Sequence, residues 1–185
     1  EVLELALALA RKYQVSLWEV NMAHLQHLFS SGLDTEQVRQ RVVERGLVAA
    51  LLEKPTEFTM RMEEAILPAI DGKDLERLLL YYTLLEPCSK GSSGGQAASH
   101  VKLLKKLKGV ANGLDYKLLL RPDSDPLDSL RPVLTAGNVG ALAKAMRGVP
   151  GRGGAGLEPS TVYCGWAQKH FFEPSSDRKL KTASD

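Results

Sequence analysis

Along most of this chain apolar residues return every three or four positions, and that spacing restricts it to helices. Leu75, Leu78, Leu79, Tyr82 and Leu85 are the clearest case, set between the Asp71-Gly72 turn and Pro87. At about 3.6 residues per turn they share one side of a cylinder, which predicts burial. Leu79 and Tyr82 are therefore expected in the core, together with Leu104 of a later helix. No six-residue segment alternates apolar with polar residues in the β-branched or aromatic manner of a strand, and aromatic residues make up only 6% of the chain. The expected fold class is all-α, with no β-sheet.

Local signals place the helices. Ser16 followed by Glu19 is a capping-box pattern, opening a helix with Leu17, Val20, Leu25 and Leu28 on one face and Trp18, Met22 and Phe29 widening it. After a first helix favoured by the Ala and Leu content of Val2 to Leu9, and the one opened at Ser16, Asp34 opens a third through Val38, Val42 and Val43, which Gly46 closes. Pro55 suits the first turn of another, carrying Phe58, Met62 and Ile66. Asp125-Pro126 begins a helix that Pro132 kinks or shortens, Asn138 caps a weak helix reaching Met146, and residues 160–172 form the last. The Gly/Ser-rich stretches 89–99 and 148–157 read as flexible loops, and 173–185 as a polar, disordered tail. About nine short helices without a period of about 34 or about 40–47 residues predict an irregular α-solenoid of stacked helical hairpins. Residues 1–172 would form one segment of a larger such solenoid.

Composition narrows the function classes. The 24 basic and 22 acidic residues leave a net charge of +2, which predicts neither a dedicated nucleic-acid binder nor a specialist for acidic partners. Two cysteines without a CxxC, and no N-x-S/T sequon, fit a reducing compartment. No apolar run approaches the roughly 20 residues that span a bilayer. The chain starts at Glu1 inside an amphipathic run and reads as a fragment.

Catalytic and ligand-binding constellations are weak. Gly151, Gly153 and Gly156 match the spacing of a dinucleotide fingerprint, but that motif needs a strand before it and a helix opening within it. They read as a loop, and the Lys90-Gly91-Ser92 triplet lacks the glycine spacing of a P-loop. His24 and His27 could face one metal, yet the further ligands a zinc site requires are missing, so both read as surface or groove-lining residues. His100 and His170 are isolated. Cys88 and Cys164 lack a companion histidine and read as packing residues; Glu63-Glu64 beside Arg61 reads as a solvated face. The expectation is no enzyme, no cofactor, no metal and no catalytic residue. The strongest charge feature is Lys102, Lys105, Lys106 and Lys108, with Lys117 and Arg121 nearby. It could hold phosphate or an acidic partner, or be the wet side of an amphipathic helix; without interleaved aromatics, direct nucleic-acid contact is not expected. From residues alone, function stops at a helical interaction scaffold.

Four strings carry a further resemblance: residues 10–25 (ARKYQVSLWEVNMAHL), 76–86 (ERLLLYYTLLE), 100–108 (HVKLLKKLK) and 126–134 (PLDSLRPVL). In them and in their spacing, from about residue 6 to about residue 172, the chain resembles the neuroblastoma-amplified sequence family. That resemblance implies the Sec-type helical domain of an endoplasmic-reticulum tethering complex. It further implies a cytoplasmic scaffold, peripheral to that membrane through its partners only, that receives Golgi-derived vesicles in retrograde transport. The implied partners are other tether subunits and endoplasmic-reticulum SNAREs. A second role attributed to the family, in nonsense-mediated mRNA decay, implies the alternative of an RNA-surveillance factor acting as a helical-repeat protein or RNA binder. The chain departs from the family pattern at 89–97, at 148–156 and after Glu173.

Overall fold

The computed structural model describes residues 2–90, 95–149 and 157–172, and all its regular elements are helical. They divide into two compact units, Glu1–Lys105 and Lys106–Asp185.

The first unit holds α1 (Val2–Lys12), α2 (Leu17–Ser30), α3 (Thr35–Glu44), α4 (Leu47–Leu51), α5 (Pro55–Arg61), α6 (Leu75–Leu85) and most of α7 (Gly95–Leu107). α2 is the centre of the unit, in contact with α1, α3, α4 and the π-turn Met62–Ile66 that continues α5. Its buried face is Trp18, Met22, Leu25, Leu28 and Phe29, and the indole N–H of Trp18 donates to the Leu51 carbonyl at 3.0 Å. Asp34 and Gln37 form a full capping box on α3. At the start of α2 the pattern is only half realised: the Ser16 hydroxyl accepts from the Glu19 amide, while the Glu19 carboxylate turns away to Arg61, 2.9 Å from its Nη2. Gly46 joins α3 to α4 at φ +59°, a left-handed conformation that glycine adopts without a Cβ penalty.

α6 departs from the expected face. Leu75, Leu78, Leu80, Tyr81, Leu84 and Leu85 are buried, whereas Leu79 and Tyr82 are half-buried. The helix packs on α3, so its apolar arc is turned one residue from the position that leucine spacing alone suggests. Leu104 is fully buried as expected. α7 begins at Gly95, so residues 95–99 are helical where composition reads a loop; once Val101 and Leu104 are buried, extending the helix backward costs only the modest propensity penalties of glycine and serine. Residues 91–94 lie outside the described residues.

The second unit comprises α8 (Tyr116–Leu119), α9 (Pro126–Leu130), α10 (Val139–Ala145) and α11 (Pro159–Ala167), with a final π-turn Gln168–Phe172. α11 packs on α10 and touches α9. Pro132 does shorten α9, which tightens into a 3-10 turn at Arg131–Val133. Asn138 stands at the N-cap of α10 without capping it. Its side-chain amide instead donates to the carbonyls of Val110 and Val133 and accepts from the Thr135 amide, tying Val110 to the segment 133–135. Val149 and Leu157, at the edges of the second glycine-rich stretch, are both buried and joined by a 3.0 Å backbone hydrogen bond. Residues 150–156 and 173–185, which include the fingerprint glycines and the tail, lie outside the described residues.

Candidate functional site

The lysines singled out by sequence lie along α7 and its end, and Lys102, Lys105, Lys106 and Lys108 are all exposed. Val101, Leu104 and Leu107 occupy the opposite, buried side. This is the arrangement of an amphipathic helix with its lysines on the exposed side. Lys102 and Lys105 belong to the first unit, Lys106 and Lys108 to the second.

His24 is half-buried on α2, and its pKa lies below the ordinary value, first because burial disfavours the charged ring and then because of His27, Arg45 and Arg41. Among the described residues no group of three histidine, cysteine or acidic side chains is placed to hold a metal ion. His100 stacks on Tyr82, centroids 4.2 Å apart and planes 21° off parallel, and its burial likewise lowers its pKa. His170 lies against Trp166 at 5.4 Å. Burial raises the pKa of the Cys88 thiol, against the smaller opposing effect of a hydrogen bond with Thr59. That is the reverse of what a thiolate nucleophile needs. Cys164, read from sequence as a packing residue, is exposed, because α11 turns Val162 and Gly165 inward instead. Glu63 and Glu64 are exposed.

Two surface depressions have polar linings. One, of about 550 Å³, lies between the N-termini of α3 and α6 and is lined by Leu33, Asp34, Thr35, Glu36, Asp74, Glu76 and Arg77. Its carboxylates Asp34 and Asp74 accept from the Gln37 and Arg77 amides as helix caps. Arg77 is fixed too: Nη1 donates to the Phe29 carbonyl at 2.8 Å, Nη2 to the Leu33 carbonyl, and the side chain is only 14% exposed. The other, of about 330 Å³, is lined by Leu118, Asp123, Ser124, Asp125, Asp128 and Ser129; there Asp125 caps α9 and the Ser124 hydroxyl donates to the Leu118 and Arg121 carbonyls. Neither lining contains a histidine, cysteine or lysine.

Sequence reasoning missed the architectural role of Arg77, whose only local sign is the capping Asp74 three residues earlier. It also missed a stripe on α1. Leu3 and Ala10 of that helix are buried against the unit, while Val2 (84% exposed), Leu5 and Leu9 recur at i, i+3 and i+7 on the other side, with Tyr13 exposed just beyond the helix end. In the second unit, Tyr163, Phe171 and Phe172 are exposed, Phe172 to 80%.

The class defined by these features is an all-helical protein, in its described residues, with apolar side chains exposed along helix faces. In a match 175 residues long that covers 92% of the chain, it is 41% identical to the human NBAS subunit of the NRZ tethering complex, and it is related by descent to the segment it matches. The chain spans 7% of the length of that curated relative. No family model matches the chain, and no solved structure does. Among the described residues no helix is long and apolar enough to cross a membrane.

Proposed function

We propose that this chain is a non-catalytic scaffold segment of a vesicle-tethering subunit acting in Golgi-to-endoplasmic-reticulum retrograde transport. The single observation that carries this is the 41% identity over 92% of the chain to a protein named as a tethering-complex subunit. The fold supports the reading physically. Stacked helices hold partner sites at fixed separations, and that role needs exposed helix faces such as Val2, Leu5 and Leu9 of α1 and no converging polar pocket. On this proposal residues 1–172 are one segment of a larger helical solenoid. Its partners are the other tether subunits and endoplasmic-reticulum SNAREs, and it sits on the cytoplasmic side of that membrane through them.

The test is a pull-down from cell lysate using the whole protein with residues 1–172 present or deleted, run with and without nuclease. Loss of tether subunits or SNAREs on deletion, whatever the nuclease treatment, supports the proposal. Retention of all of them overturns it, and loss only of nuclease-sensitive partners replaces it with RNA surveillance. In that event reversing Lys105 and Lys106 to glutamate should abolish the RNA-dependent capture.

A further inference from the structure

We draw no further inference here: the strongest candidate, the exposed apolar stripe of Val2, Leu5 and Leu9 on the first helix, carries nothing because nothing in the structure shows what covers it.

Discussion

Leu78→Ala and Leu79→Ala are neighbouring truncations of one residue type in one helix, and the structure separates them. Leu78 is 0% exposed, whereas Leu79 is only half-buried. Each substitution removes three carbons. At about 0.8 kcal/mol per buried carbon the transfer loss at Leu78 is about 2.4 kcal/mol. The cavity left in a closed core raises the expected total to about 3–4 kcal/mol. At Leu79 roughly half of the transfer loss applies and water or neighbours fill the gap, so about 1 kcal/mol is expected. The two tryptophans make the measurement clean, since Trp18 lies in the first unit and Trp166 in the second. In a Trp166→Phe background, Trp18 fluorescence followed through a urea titration reports the unit that contains both leucines. Equal destabilisation by the two substitutions, or a larger effect at Leu79, would refute the assigned face of α6.

Arg77→Met keeps most of the side-chain volume but leaves the Phe29 and Leu33 carbonyls without their charged donor. It should cost on the order of 2–3 kcal/mol by the same Trp18 assay, and a change within a few tenths would show that water replaces the guanidinium. A methyl at Gly165 would sit 2.7 Å from Cδ1 at the tip of the half-buried Leu127 side chain, which must move, so Gly165→Ala should gain less than the about 1 kcal/mol that alanine's helix propensity offers. The full gain should appear once Leu127 is also alanine, as read by Trp166 fluorescence in a Trp18→Phe background; the same gain in both backgrounds would sink the steric account. His24 and His100 are held below the ordinary value of 6.5 in the folded chain. Unfolding therefore takes up protons, and the stability they contribute is complete above pH 6.5 and lost as pH falls below it. Urea midpoints measured from pH 8 to pH 5 should fall across that window, and His100→Gln should flatten part of the decline. A slope unchanged by that substitution would assign the effect elsewhere.

What was legible in the sequence was whatever depends on neighbours along the chain. Helix class follows from the three-and-four spacing of leucines; helix starts at Asp34 and Asp125 follow from capping chemistry confined to three or four residues, and the start at Pro55 from the fixed φ of a proline in the first turn. The exposure of Lys102, Lys105, Lys106 and Lys108 was legible for the same reason, since the buried side of α7 is written in Val101, Leu104 and Leu107. The relationship to the tethering subunit was also legible, because strings combining Trp, Tyr, His and Pro are far more specific than leucine periodicity.

Only the tertiary structure decided how far each helix rotates about its axis and which polar groups meet across elements. α6 carries apolar residues on most of its circumference, so its spacing left several faces possible, and packing against α3 chose the one that half-exposes Leu79 and Tyr82. Glu19 had two partners within reach, its own cap and an arginine 42 residues away, and took the arginine. Asn138 likewise left its local cap for the carbonyls of Val110 and Val133. On α1 apolar residues ring most of the helix, and the sequence determined that they are there. The fold decided that Leu3 and Ala10 are covered while Val2, Leu5 and Leu9 face water, because one helix offers its unit a single side.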